Sequence, residues 1–172
     1  MTRRKLILLV GLVGLILLID QISKNWVLAN MQLGQTILVI PALHPFFQFT
    51  FSTNTGAAFG LLPMAGDVFM VAAIIISGVI VYFYWHTPHE AVVQQVGLAL
   101  ILGGAIGNVI DRIQHGFVVD FFHLMIPGVI SNISNFADHF IVGGALLLLV
   151  DALRRDLRRK AQPTPSEAAP SD

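Results

Sequence analysis

Two aspartates, Asp120 and Asp138, have the residue type and the surroundings that acid–base chemistry requires. Each lies at the edge of an apolar segment, in the sequences GFVVDF (residues 116–121) and NFADHF (residues 135–140). An ionisable group close to hydrocarbon is energetically costly, so it usually has a function. We therefore expect Asp120 and Asp138 to be catalytic carboxylates at a membrane surface.

Two further pairs of polar residues could support these carboxylates. Asp20 and Lys24 share a helical face and can form an ion pair, which either only ends an apolar segment or braces a polar site. Asn108 and Arg112 are also one turn apart. Arg112 either extends to lipid head groups or orients a carboxylate or a substrate carbonyl. Asp111 lies on another face and is interpreted as structural.

Asn135 lies three residues before Asp138 and could cap a helix that begins there, with Ser134 as the alternative cap. Asp138 would then lie in the first turn, where the helix dipole favours a negative charge. A role in capping alone would leave Asp120 unexplained.

A metal site is a weaker interpretation of the same region. His123 and His139 together with the two aspartates could in principle hold zinc. No HExxH sequence occurs, however, and the spacing fits no common metal motif. The chain has no cysteine, which excludes disulfides and thiol catalysis. We expect neither a metal nor an organic cofactor.

The composition predicts an integral membrane protein. Of the 172 residues, 55% are hydrophobic and only 12% are charged, against about 25% in a soluble domain. Eight of the ten Lys and Arg residues lie at the two ends: Arg3, Arg4, Lys5, Arg154, Arg155, Arg158, Arg159 and Lys160. Basic flanks mark the cytoplasmic side, so both termini should be inside, with an even number of crossings. These basic runs are typical of topology signals, and no nucleic-acid partner is expected.

Four apolar stretches are long enough to cross a bilayer, at residues 6–26, 68–85, 91–112 and 134–152. The first follows a basic start and could be a cleavable signal peptide. It continues into Asp20 without a small-x-small cleavage site, which favours an uncleaved span. Residues 1–160 should thus form one four-span domain, followed by a disordered cytoplasmic tail at 161–172 that is rich in proline and small residues.

The outer side should carry a small β element. Residues 47–52 alternate apolar and polar side chains, and residues 36–40 are rich in β-branched types, so both should be short strands. Asn54 and Gly56 mark a turn, followed by small residues, where backbone could approach a ligand. Residues 114–133 are expected to be an outer loop. This topology places all the polar features named above near the outer interface.

Glycines should bring the later spans together. Gly103 and Gly107 have a small-xxx-small spacing that allows close helix packing, and Gly143 and Gly144 could offer a matching surface. The expected architecture is therefore an all-α membrane protein with four transmembrane helices and a small extramembrane β element.

In combination, five sequences resemble lipoprotein signal peptidase, also called signal peptidase II, a family of bacterial membrane aspartyl peptidases. They are DQISK at 20–24, NTGAAF at 54–59, GGAIGN continuing to DR at 103–112, GFVVDF at 116–121 and NFAD at 135–138. The resemblance covers most of residues 6–153. Ser134 stands where the family usually has an aromatic residue, His139 where a small polar residue is common, and residues 125–134 also differ.

The resemblance implies a peptidase of the bacterial inner membrane. The substrate would be a diacylglyceryl-modified prolipoprotein, and globomycin would inhibit the enzyme. Asp120 and Asp138 match the catalytic pair. The family's residues around the substrate and its supporting residues match Asn54, Gly56, Asn108, Arg112, Asn135, Asp20 and Lys24. A monomer in contact with membrane lipids is expected. The alternatives are a transporter or proton-relay protein that uses the same carboxylates, or a structural membrane scaffold.

Overall fold

The computed structural model describes residues 2–56 and 65–161, which form four long helices and four strands. The elements are α1 (Arg3–Asn30), β1 (Thr36–Ile37), β2 (Phe47–Asn54), α2 (Ala65–His86), α3 (Val92–His115), β3 (Val118–Ile126), β4 (Ile130–Ser134) and α4 (Phe136–Lys160). A short 3-10 helix, Pro41–Leu43, lies between β1 and β2. The predicted tail from residue 162 onward and the AAF part of the motif at 54–59 lie outside the described residues.

Three of the helices, α1, α3 and α4, are long and apolar enough to cross a membrane. In α2 the apolar part within the described residues is shorter, Met70–His86. The chain is therefore a multi-pass membrane protein, as predicted, while the count of four crossings stays a prediction. α1 continues to Asn30, so Asp20 and Lys24 lie inside the helix and do not end it.

Glycines on α3 let two neighbouring helices approach closely. Gly103 contacts Ile16 of α1, and a Cβ atom on Gly107 would lie 2.6 Å from the carboxylate of Asp20. On the other side, Gly104 is packed against the backbone carbonyl of Ala137 in α4. α3 thus forms the centre of the bundle and packs against α1, α2 and α4. Gly103 and Gly107 thus allow close helix packing, as predicted, but mainly against α1 and not against α4, which Gly104 contacts instead.

Of the two glycines predicted to form a packing surface on α4, Gly144 packs against α3 and Gly143 does not. Gly144 lies against the carbonyl of Gly97 on α3, where a Cβ atom would approach that oxygen to 2.6 Å. At Gly143, no atom of the described part of the chain lies within 4 Å of the corresponding position. The two glycines are consecutive and therefore point in different directions around the helix.

The extramembrane element is a four-stranded antiparallel sheet in the order β1-β2-β3-β4. The predicted strand at residues 47–52 is confirmed as part of β2, whereas β1 keeps only Thr36 and Ile37 of the range 36–40. The expectation of a loop at residues 114–133 is wrong, because this range contains β3 and most of β4. Apolar and polar residues do not alternate in the β3 sequence VVDFFHLMI, because both faces of this strand are partly buried.

One face of the sheet rests on the end of α1. Val119 and Phe121 of β3 form a buried cluster with Phe51 of β2 and with Val27 and Met31. Successive side chains of a strand point to opposite faces. Asp120 lies between Val119 and Phe121 in the sequence, so its carboxylate is on the face turned away from this cluster.

Candidate active site

Asp120 is fixed in β3 by amide donors from two other elements. Its side chain is 2% exposed. Asn54 Nδ2, at the end of β2, donates a hydrogen bond of 3.0 Å to Asp120 Oδ2. Asn135 Nδ2, just before α4, donates one of 2.6 Å to Asp120 Oδ1. Both carboxylate oxygens are therefore held in position.

Gly56 determines which end of the Asn54 amide faces Asp120. The backbone N–H of Gly56 donates to Asn54 Oδ1 at 2.9 Å, which leaves the Asn54 NH₂ group for the aspartate. Gly56 has φ = +76°, a conformation that residues with a Cβ rarely adopt. The predicted turn is present, and it orients a side chain that contacts Asp120.

Asp138 is part of the N-terminal cap of α4. Asn135 is the N-cap, and its Oδ1 accepts a hydrogen bond of 3.0 Å from the backbone N–H of Asp138. In return, Asp138 Oδ2 accepts one of 3.2 Å from the backbone N–H of Asn135. This is a capping box, so the predicted cap exists and Asn135, not Ser134, provides it.

Asn135 links the two carboxylates. Its NH₂ group donates to Asp120, its side-chain oxygen accepts from the backbone of Asp138, and its own backbone N–H binds the Asp138 carboxylate. Asn135 is itself completely buried. The structure thus brings the two predicted catalytic residues, from β3 and α4, to a single asparagine.

Asn108 holds the other oxygen of Asp138 and is oriented by Lys24. Asn108 Nδ2 donates to Asp138 Oδ1 at 2.8 Å. Asn108 Oδ1 accepts from Lys24 Nζ at 3.0 Å. An ammonium group can only donate, so Lys24 binds the oxygen of the Asn108 amide and leaves its NH₂ group for Asp138.

Lys24 is buried among acidic partners. Its Nζ lies 2.8 Å from Asp20 Oδ2 and 2.9 Å from Asp111 Oδ2, with side-chain exposures of only 2% or less for all three residues. Together with Asn108, these contacts use all three N–H donors of the ammonium. The predicted pair Asp20–Lys24 forms, and it is buried inside the protein within α1.

Asp20 and Asp111 also connect the helices to the other elements of the site. Asp20 Oδ1 accepts a hydrogen bond of 3.0 Å from the backbone N–H of Ala137, next to Asp138. Asp111 Oδ2 accepts one of 3.0 Å from the backbone N–H of Val119, next to Asp120. Asp111 was predicted to be merely structural. Its place in an apolar span is the same signal that singled out Asp120 and Asp138.

Gln21 is a residue of this network that the sequence did not indicate. Its Nε2 donates to Asp20 Oδ2 at 3.1 Å and to Asp111 Oδ1 at 3.0 Å. It thereby bridges the two carboxylates that hold Lys24. A polar residue next to Asp20 in DQISK was the available signal.

Arg112 is half-buried and lies one turn beyond Asn108. Its Nη1 donates to the Asn108 carbonyl at 3.2 Å, and its Nε is buried without a partner among residues 2–56 and 65–161. It forms no ion pair with the site carboxylates within that part of the chain. The guanidinium therefore keeps donors for another group.

Burial changes the acidity of Asp120. Removal from water raises the pKa of the Asp120 carboxyl from 3.8 to about 7, and the negative charge of Asp138 acts in the same direction. The hydrogen bonds from Asn54 and Asn135 partly oppose this rise in pKa. A carboxyl with a pKa near neutrality can both hold and release a proton at physiological pH.

The two histidines near the site have protein partners. His139 Nδ1 lies 2.6 Å from the Asn135 carbonyl, and His123 Nε2 lies 2.8 Å from the hydroxyl of Ser131. Among the described residues, no three His, Asp or Glu side chains form a group that could hold a metal.

Comparison with known proteins identifies the family. Residues 12–154 match the family described as Signal peptidase (SPase) II. The lipoprotein signal peptidase of Pelotomaculum thermopropionicum is 43% identical over 138 residues, which cover 80% of this chain and 86% of that protein. The lipoprotein signal peptidase of Shewanella woodyi is 37% identical over 146 residues, which cover 83% and 81%.

The fold agrees with this match. A solved structure described as a bacterial membrane enzyme, obtained by the in meso method, superimposes with a TM-score of 0.78. It is 31% identical, and the match covers 91% of this chain and 93% of that one. These similarities support a peptidase and do not support the transporter alternative. A match over this much of the sequence shows that the chain belongs to the signal peptidase II family.

Proposed function

We propose that the chain removes the signal peptide from lipoprotein precursors as an aspartic endopeptidase, with Asp120 and Asp138 as its catalytic residues. The observation that carries this proposal is that Asn135 hydrogen-bonds both the buried carboxylate of Asp120 and the half-buried carboxylate of Asp138. Burial and the negative charge of Asp138 raise the pKa of Asp120 to about 7, so Asp120 can hold a proton near neutral pH. This is the arrangement with which aspartic peptidases activate water.

The substrate is a diacylglyceryl-modified prolipoprotein, cleaved before the lipidated cysteine. Each buried methylene contributes about 0.8 kcal/mol, so two acyl chains keep the precursor in the bilayer. A peptidase for such a precursor needs its carboxylates at the membrane surface. Asp120 lies in the extramembrane sheet and Asp138 in the first turn of α4, at the same end of the bundle.

Asp120 acts as the acid and Asp138 as the base. Asp138, at the N-terminus of α4, takes a proton from water while the water oxygen adds to the carbonyl that precedes the cysteine. Asp120 starts protonated, consistent with a pKa of about 7, and donates a hydrogen bond to the oxyanion. Collapse of the tetrahedral intermediate breaks the C–N bond, and a proton passes to the departing amine. The products are the free signal peptide and a lipidated amino-terminal cysteine.

The surrounding residues hold this geometry. Asn54, Asn108 and Asn135 direct N–H groups at the carboxylates, and Gly56 orients Asn54. Lys24, supported by Asp20, orients Asn108. Arg112 retains donors for a substrate carbonyl, which would fix the scissile peptide. No metal ion or organic cofactor takes part in these steps.

The position in the cell follows from the charge distribution. Basic residues flank α1 and α4 at the ends of the chain, which favours cytoplasmic termini and four crossings. The carboxylates then lie near the outer face of the bacterial inner membrane. Residues 1–160 act as one monomeric domain in contact with membrane lipids, with residues 161–172 as a cytoplasmic tail. Globomycin-type inhibitors should occupy the same site.

Cleavage of a defined precursor by the purified protein tests this function. A diacylglyceryl-modified precursor should be cut immediately before its cysteine, as read by mass spectrometry, and globomycin should stop the reaction. The same peptide without the lipid should react far more slowly. Equal rates for the two peptides, or a cut elsewhere, would show that the proposed substrate is wrong.

A further inference from the structure

A cavity beside Asp138 has no part in the steps described above. Its volume is about 250 Å³, and its walls are formed by Leu124, Asn132, Ser134, Asp138, His139 and Val142. Asp138, one of the two proposed catalytic carboxylates, therefore belongs to its lining.

The cavity lies on the catalytic face of the sheet. In the β3–β4 pair, Phe122 is opposite Ser134 and Leu124 is opposite Asn132. Side chains two residues apart share a face, and directly opposed residues do so as well. Leu124, Asn132 and Ser134 are therefore on the same face as Asp120.

Two walls of the cavity carry hydrogen-bonding capacity that the protein leaves unused. Among the described residues, none hydrogen-bonds the Asn132 amide or the Ser134 hydroxyl, whereas the neighbouring Ser131 hydroxyl binds His123. The opposite wall is the His139 ring. A carbonyl can only accept, so His139 donates from Nδ1 to the Asn135 carbonyl, which fixes the ring in place.

The cavity borders an exposed apolar part of α4. Val142 lines the cavity and is 56% exposed, and Leu146 follows one turn later on the same side of the helix with 55% exposure. α4 is one of the helices long and apolar enough to cross the membrane. An apolar chain that leaves the cavity at Val142 would therefore continue into the bilayer beside α4.

We propose that this cavity binds the glycerol diester of the substrate lipid. The inference rests on the proposed function, in which the lipidated cysteine directly follows the cleaved bond. Its thioether is therefore only a few covalent bonds from the carbonyl that water attacks near Asp138. Ester carbonyls need hydrogen-bond donors, which Asn132 and Ser134 supply, and the acyl chains follow Val142 and Leu146 into the membrane.

Two precursors of identical sequence test this assignment. One carries the diacylglyceryl thioether and the other an S-alkyl thioether of similar length without ester groups. The double variant Asn132→Ala/Ser134→Ala should raise KM for the ester precursor about tenfold, since two hydrogen bonds are lost. It should leave kcat and the KM for the alkyl precursor unchanged. Ser131→Ala is the matched control, because Ser131 is on the same strand but on its other face.

A competition measurement gives a second readout, which does not depend on the KM for the ester precursor. A soluble short-chain diacylglycerol should inhibit wild-type cleavage of the alkyl precursor, and the double variant should need about ten times more of it. Unchanged KM and unchanged inhibition in the double variant would overturn the assignment. An equal rise in KM for both precursors would overturn it too.

The wild-type protein separates this inference from the function on which it rests. If the wild type cleaves before the cysteine and the double variant has the wild-type KM and inhibition, only the ester site is refuted. Failure of the wild type to cleave either precursor refutes both proposals.

Discussion

At the scale of single residues, the site depends on which end of each asparagine amide faces a carboxylate. The Gly56 N–H binds the oxygen of Asn54, and the Lys24 ammonium binds the oxygen of Asn108. In both cases the NH₂ group is left for an aspartate. Each of these two hydrogen bonds determines whether the aspartate faces the NH₂ group of the asparagine, which can donate, or its oxygen, which cannot.

The pKa of Asp120 predicts the pH dependence of catalysis. Asp120 acts in its protonated form, so kcat should fall as the pH rises through about 7. The hydrogen bond from Asn54 lowers this pKa, so Asn54→Ala should raise it further. The alkaline limb of the kcat profile should therefore move to higher pH by about one unit.

Asn30→Ala serves as the control for this shift. Asn30 Nδ2 donates to the Trp26 carbonyl at the exposed end of α1, and it hydrogen-bonds no carboxylate of residues 2–56 and 65–161. Its variant should keep the wild-type pH profile. An alkaline limb that stays in place in Asn54→Ala, or moves to lower pH, would contradict the role assigned to Asp120.

Two buried lysines on α1 allow a test of Lys24 as a positioning residue. Lys24→Met leaves Asn108 free to turn and should lower kcat about a hundredfold, since a small displacement of a catalytic group has that effect. Lys5 is equally buried, and its Nζ donates to the carbonyls of Trp85 and Thr87 at the far end of the helix. Lys5→Met should lower the melting temperature but not kcat.

Parallel measurement of kcat and of thermal unfolding distinguishes the two lysines. Breaking a buried ion pair costs about 3–5 kcal/mol, so reduced stability is expected for Lys24→Met as well. If Lys24 positions Asn108, the Lys24→Met protein that is still folded should have a low kcat. Equal losses of kcat in Lys24→Met and Lys5→Met would mean that Lys24 only stabilises the fold.

At the scale of elements, glycine contacts on α3 set the position of α4. Gly104→Ala would push a methyl group against the Ala137 carbonyl, one residue before Asp138. Overpacking of this kind costs about 1–3 kcal/mol, and we expect lower stability and lower kcat together. Gly143→Ala on α4 meets open space and should be neutral or stabilising by up to about 1 kcal/mol. Melting temperature and kcat of the two variants decide the point, and a normal Gly104→Ala enzyme would contradict it.

The helices could be predicted from the sequence because membrane spans are long, uninterrupted apolar runs. The β3–β4 hairpin could not, because the apolar residues of β3 lie on both faces. Val119 and Phe121 pack on α1, while Val118 is buried on the other side. Alternation, the main local signal for a strand, is therefore absent.

The candidate residues and their local contacts, the Asp20–Lys24 pair and the Asn135 cap at Asp138, could be predicted from the sequence, but the contacts between distant residues could not. Carboxylates and amides near hydrocarbon are conspicuous in a sequence, which is why Asp120, Asp138 and Asn108 could be named. The contacts of Lys24 with Asn108 and of Asn54 with Asp120 join residues 84 and 66 positions apart. No local pattern specifies such pairs. Gln21 and Asp111 have such a local signal too, but their contacts with each other and with Lys24 and Val119 depend on the tertiary structure.

At the scale of the whole molecule, the polar network lies at one end of the bundle. Asp20 and Lys24 are in the second half of α1, Asn108 and Asp111 are near the end of α3, and Asp138 begins α4. α1 and α3 run in the same direction and α4 runs in the opposite one, which brings the three groups together at one end of the bundle. The sheet that carries Asp120 lies at that end.

The absence of cysteine makes this topology directly testable. Single cysteines can be placed at Thr2, at Ala161 and at Val129, which is 75% exposed in the β3–β4 turn. A membrane-impermeant maleimide applied to intact spheroplasts should label only Val129→Cys, and all three after permeabilisation. Labelling of Thr2→Cys and Ala161→Cys from opposite sides would mean an odd number of crossings.

In the proposed mechanism, Asp120 and Asp138 act together on one water molecule. The decisive measurement is the turnover of Asp120→Asn and Asp138→Asn on a diacylglyceryl-modified precursor, with membrane insertion checked for each. Both substitutions keep the shape of the side chain and remove its acid–base function. Each should lower kcat about a thousandfold or more while the protein stays inserted. Near-normal turnover by either variant would contradict it.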